Sequence, residues 1–185
     1  KTGNYVGVEG KTYYESQKKI TISDSDTKQF VAGKFMTCNI AYTRKIIEKV
    51  NYFEPAFKYG HEDRDLAFRV MKFGRIYFSE DMLVSHQRKK LSVEALFNRS
   101  KRAENMVYFI KKHGIHSITD SIEYRYKNIL YPKKLLLILC PPILIVTNSY
   151  NSFYDLAFGF LNYVAIIYER VLIWKAAIKN RIFIL

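Results

Sequence analysis

The sequence predicts an α/β domain followed by a helical, membrane-associated region. Three observations lead there. Short apolar runs bounded by glycine alternate with one strongly periodic helical segment in the first hundred residues. A basic stretch follows: His86 to Lys134 holds twelve Lys/Arg against four Asp/Glu. The last third, residues 132–185, is mostly apolar and aromatic, with six Lys/Arg and two acids. The domain boundary is set at 118/119.

Tyr5 to Lys11 reads as a short buried strand entering a glycine turn. Residues 15–29 are polar and read as a loop. Asp24 and Asp26 match an acid-x-acid metal signature, but lysines precede them and Ser and Thr surround them, so a solvated turn is the better reading. Phe30 to Tyr42 alternates small, apolar and polar residues, as a strand near a ligand surface does. Thr43 can cap a helix through Val50, which Asn51 ends.

The densest chemistry lies at Tyr59-Gly60-His61-Glu62-Asp63-Arg64-Asp65. Leu66, Val70 and Phe73, with Ala67 and Met71, then give a helical stripe, and Gly74 reads as its C-cap. The acids therefore occupy a first helical turn, where free N–H groups and the helix dipole favour negative charge. Capping explains one acid. Three acids and a histidine exceed what a cap needs, and crowded carboxylates repel unless a cation shares the site. Arg75–Phe78 and Met82–His86 read as two further strands.

Ser92 to His113 reads as a basic helix with an incomplete apolar stripe of Leu96, Val107, Phe109 and Ile110. Such a run serves either as a solvated face or as a surface for phosphate or headgroups. Leu135 to Val146 is apolar but short of the roughly 20 residues that span a bilayer, and Pro141-Pro142 interrupts it. Phe153 to Tyr168 is a second apolar stretch. Glu169 to Lys179 is amphipathic, with Trp174 near Lys175. A re-entrant hairpin or interfacial helices fit this tail; a soluble helical cap is the alternative.

Net charge is +13 and the pI about 9.6, which draws the chain toward anions. No nucleic-acid-binding module accompanies the charge, so nucleic acid is not expected as a partner. Cys38 and Cys140 show no disulfide or zinc spacing, which suits a reducing compartment. The chain begins Lys-Thr-Gly-Asn without an initiator methionine, and a piece of a longer protein is expected.

Several motifs in order resemble the second half of the family 2 glycosyltransferases. They are Val8-Glu9-Gly10-Lys11, Ala32-Gly33, Asn39 to Arg44, Phe53 to Leu66, and Val84-Ser85-His86. The similarity runs from about Tyr5 to His113, and the tail resembles the membrane-associated extension of some members. The resemblance implies a partial GT-A fold that lacks its N-terminal, nucleotide-binding half and leaves an open sheet edge. It implies an inverting hexosyltransferase that uses a nucleotide-diphosphate sugar and a glycan or lipid-linked acceptor. The enzyme would build cell-surface glycans or lipid-linked sugars, with its catalytic part cytoplasmic and membrane-associated.

By the same resemblance Asp63 is the general base on the acceptor hydroxyl, and Glu62 orients the acceptor or the base. Asn39, Asp65, Arg99 and Arg102 bind substrate, the arginines at the diphosphate. His86 contacts a metal or the diphosphate, and Mg2+ or Mn2+ has its main ligands outside this chain. Two other readings stand beside this one. One is a non-catalytic, basic membrane-surface module whose acids are helix caps. The other is a metal-dependent phosphohydrolase using His61, Asp63 and His86.

Overall fold

The computed structural model describes residues 3–14, 32–86, 92–114 and 153–182. These form two compact units, one ending near Arg88 and one holding the helices beyond it. The division falls before the basic helix rather than at 118/119, because that helix packs on the C-terminal helix. The Asp24/Asp26 pair and the apolar run 135–146 lie outside the described residues.

The first unit is a three-stranded mixed sheet with two helices. The order is β2-β1-β3. β1 (Tyr5–Tyr14) is central, antiparallel to β2 (Ile40–Tyr42) and parallel to β3 (Arg75–His86). β1 does not turn at Gly10; it runs through it. Glycine is needed there for space: a Cβ would stand 2.3 Å from the Met82 carbonyl oxygen and 2.5 Å from the Asn39 amide nitrogen.

Residues 32–39, before β2, are not a strand. Ala32–Gly33 make a turn and Thr37–Asn39 a single 3-10 turn, and only Ile40–Tyr42 pair with β1. The two strands expected after Gly74 are one strand with a bulge. Gly10 pairs with Ser79 but Lys11 pairs with Leu83, so residues 80–82 bow out of register.

α1 (Arg44–Lys49) ends at Val50, after which Asn51 and Tyr52 both take left-handed backbone angles. α2 (Glu62–Val70) packs Leu66 and Val70 against Val6 of β1 and Ile46 of α1, with Tyr42, Ile47 and Val50 around them. Phe73 does not extend the buried stripe. It is 40% exposed, and Lys49 Nζ lies 4.1 Å from its ring centre. Nor is Gly74 a left-handed cap. It is required because a Cβ would meet Val6 Cγ1 at 2.6 Å and the Asn4 carbonyl oxygen at 2.7 Å.

The described residues of the second unit form two packed helices, α3 (Val93–His113) and α4 (Phe153–Asn180). Ser92 starts α3, its hydroxyl accepting the Ala95 N–H at 3.0 Å. Leu96 meets Phe158 and Ala165, with Phe97 and Leu161 beside them. Ser100 Oγ donates to the Ala165 carbonyl at 3.1 Å. Lys111 reaches Asn180 at 3.4 Å, so the two helices run in the same direction.

α4 is one continuous helix, although the sequence suggested an apolar stretch and a separate amphipathic end. Its 28 residues are long and apolar enough to cross a membrane. It is nonetheless two-sided. One face buries Phe158, Ala165, Ile173 and Ala177, together with Asp155 and Arg170. The other exposes Phe153, Phe160, Val171, Trp174 and Ile178.

Candidate active site

Four acids of the first unit have sharply different surroundings. Glu9 lies on β1 and is buried. Its carboxylate accepts N–H groups from Gly33 at 2.8 Å, Lys34 at 2.9 Å, and Phe35. Gly33 and Phe35 both have positive φ, which helps the loop wrap round the carboxylate. Charge-assisted bonds of this kind are among the stronger ones in a protein.

Asp65 is 0% exposed. Its Oδ2 pairs with Arg69 Nε at 2.8 Å, one turn on along α2. The Arg69 guanidinium in turn donates to the Val50 carbonyl and, at 2.7 Å, to the Tyr52 carbonyl. Asp65 therefore holds the left-handed 50–52 corner through Arg69. The expected substrate-binding role for Asp65 does not fit a carboxylate with no exposed surface and a local cation.

Asn39 is corrected in the same way. Its side-chain amide is buried over Gly10 and donates to the Lys11 carbonyl at 3.0 Å and the Met82 carbonyl at 2.9 Å. It staples β1 to β3 at the bulge. Both amide hydrogens are committed to the scaffold, which leaves no donor for an acceptor sugar.

Glu62 and Asp63 differ. Gly60 (φ 102°) and His61 (φ 74°) turn the chain through two left-handed residues and start α2 without a side-chain cap from His61. Asp63 Oδ1 accepts the Arg64 N–H at 2.8 Å. Burial nevertheless holds the Asp63 carboxyl above its ordinary range, and the neighbouring Glu62 charge adds to this; Arg64 opposes it. Glu62 Oε2 is buried and has no hydrogen-bond partner.

Tyr42, at the end of β2, completes the cluster. Its ring lies over Gly7, where a Cβ would stand 2.7 Å from Cδ1. Its hydroxyl is buried and unpartnered. Burial raises its pKa, and the charges of Asp63 and Glu9 raise it further. By sequence alone Tyr42 is a strand residue and Glu9 part of a motif. The available signal was Glu9 itself, an acid in a strand of Val6 and Val8 with a glycine on either side.

Arg99 and Arg102 are exposed on α3, in the other unit. His86 is the last residue of β3, paired in register with Tyr14. Among the described residues no group of three His, Cys, Asp or Glu is placed to hold a metal ion. The described residues thus offer no cage for Mg2+ or Mn2+.

A concavity of about 410 Å3 opens near the other end of α2, lined by Val50 to Pro55 and Arg69. Its guanidinium is already bound to two carbonyls, and neither Glu62 nor Asp63 lines the concavity. The arrangement at the start of α2 can do something the concavity cannot. It presents a desolvated carboxyl, a second carboxylate and a phenol with hydrogen-bonding capacity to spare. No family model, curated protein or solved structure matches the chain.

Proposed function

We propose that the chain is the C-terminal part of a GT-A, family-2-like glycosyltransferase, with Asp63 as general base. One observation carries the reading. Asp63 is desolvated beside Glu62 and Tyr42, with its carboxyl held above the ordinary range. A base works best when its pKa approaches the operating pH, and burial moves a carboxyl in that direction. On this reading Asp63 takes the proton of an acceptor hydroxyl as its oxygen attacks the anomeric carbon. The bond from that carbon to the nucleotide diphosphate breaks, and the configuration inverts. Glu62 orients the acceptor. On this reading the donor-binding half and the main metal ligands lie outside this chain, with His86 as a metal or diphosphate contact.

The test is Asp63→Asn in the complete enzyme, assayed with a panel of nucleotide-diphosphate hexoses. The expected result is a kcat lower by about 10^2–10^4-fold with nucleotide affinity unchanged. Turnover within about threefold of wild type rejects Asp63 as base.

A second reading has its own observation. α3 exposes Arg99, Arg102, Lys111 and Lys112, and α4 exposes Phe153, Phe160, Trp174 and Ile178. Cations and exposed apolar residues together suit an anionic bilayer surface. A non-catalytic membrane-surface module would bind anionic vesicles and transfer no sugar, so transfer discriminates the two.

A further inference from the structure

α4 is apolar on two sides. One side buries Phe158, Ala165, Ile173 and Ala177, and α3 packs there through Leu96 and Ser100. The other side carries Phe153, Leu156, Phe160, Val171, Trp174 and Ile178, all exposed; Phe153 is 85% and Ile178 78% exposed. The half-buried Val164 and Ile167 bridge the middle of this row. The positions follow one another in steps of three or four residues, the spacing of one helix face, over about 38 Å. None of them is charged.

The charges of α4 lie off this stripe. Asp155 and Arg170 are buried, and Glu169 is half-buried. Lys175 and Lys179 are exposed near its C-terminal end, close to Trp174. An uncharged apolar face edged by lysines suits an anionic bilayer surface: the face enters the acyl boundary while the ammonium groups reach back to lipid phosphates. A second copy of this chain, at net charge +13, would bring like charge to the same edge.

Length and apolarity alone would also suit a helix that crosses the membrane. α3 opposes that. It flanks α4 from Phe158, met by Leu96, to Asn180, reached by Lys111, and runs in the same direction. A crossing α4 would draw that length of α3 into hydrocarbon with Arg99 and Arg102 exposed. Charged side chains facing lipid there are strongly disfavoured. The high mean hydropathy of α4 has a different cause: an inner face for α3 and an outer face are summed in one helix.

We infer that α4 lies in the plane of an anionic bilayer surface, with its outer stripe in the acyl boundary, Lys175 and Lys179 at the lipid phosphates, and α3 on the water side. Bilayer contact then falls to α4 rather than to the cations of α3. The orientation does not depend on what Asp63 does.

Trp174 is the single tryptophan of the chain and reports the orientation directly. The whole chain is mixed with vesicles of phosphatidylglycerol and phosphatidylcholine that carry bromines either near the acyl carbonyl or at the chain end. A second protein, Trp174→Phe with Phe160→Trp, moves the probe about 21 Å along the helix. Both sites are exposed, so the exchange leaves the packed face alone. The expected result is a blue shift at both sites, with bromines near the carbonyl quenching both more strongly, as a depth of about 5–10 Å requires. Deep quenching at 160 with shallow quenching at 174 shows that α4 crosses, and overturns the proposal. Vesicles that sediment with the protein without moving either emission leave bilayer contact to α3; the proposal then fails while the membrane-module reading survives. Absence of any vesicle binding overturns both. Lys175→Glu with Lys179→Glu is expected to weaken binding to these vesicles by about tenfold or more, and to leave binding to pure phosphatidylcholine unchanged. Equal affinity of the variant for the anionic vesicles overturns the contact with lipid phosphates.

Discussion

The two ends of the polar system in the sheet unit treat a carboxylate in opposite ways. At the 33–35 loop, Glu9 is bound by three backbone N–H groups. At the first turn of α2, Glu62 keeps a buried oxygen with no partner, and Asp63 is desolvated, which its backbone N–H contacts and the Arg64 charge only partly offset. Asp65 repeats the first pattern two residues away, saturated by Arg69. Burial is common to all of them. Saturation separates Glu9 and Asp65 from Glu62 and Asp63, and it predicts opposite consequences when each charge is removed.

The largest expected effect is at Asp65. Asp65→Ala leaves the Arg69 guanidinium, only 16% exposed, without its carboxylate and costs about 3–5 kcal/mol in a urea titration. A loss under about 1 kcal/mol breaks the assignment of Asp65 to the scaffold. Glu9→Gln comes next. The neutral amide replaces one accepting oxygen by an NH2 facing backbone donors, and about 2–3 kcal/mol should be lost. Equal stability would mean that the loop does not depend on the charge.

Asp63→Asn sharpens the contrast from the other side and should be the smallest. A carboxyl whose folded pKa exceeds its unfolded value favours folding below the unfolded value, near 3.8, and that advantage is lost as pH rises through the folded value. Ionised Asp63 therefore weakens the fold at neutral pH. The variant should melt slightly higher than wild type at pH 7, with the difference vanishing below about pH 3.8. Asn can still accept the Arg64 N–H, so the comparison isolates the charge. A lower melting temperature at pH 7 would place Asp63 with Glu9 and Asp65.

The sequence was legible where local rules govern. Ser92 begins α3 and Asn51 ends the α1 corner as turn and cap chemistry predicts. Leu66 and Val70 face the core as their spacing requires. It was misleading where one residue is explained by another far away. Gly10 and Gly74 suggested a turn and a cap, yet both are there to admit neighbours. Phe73 fitted the stripe of α2, but α2 stops at Val70. The acid cluster was visible as a cluster, while the sorting of its members was not. That Asp65 would be saturated depends on Arg69 reaching two carbonyls of the 50–52 corner. That Asn39 would be a staple depends on a bulge in β3.

The parallel pairing of β1 with β3 has a consequence for the order of assembly. Tyr5 is registered opposite Arg75, so the central strand waits for a partner synthesised about 70 residues later. At about 5–20 residues per second that is roughly 4–14 seconds on the ribosome. The antiparallel partner made earlier, β2, is only three residues long. The longest strand pairing of the unit thus forms last during synthesis. Until then β1 has a free edge that a chaperone, or another nascent chain, can occupy.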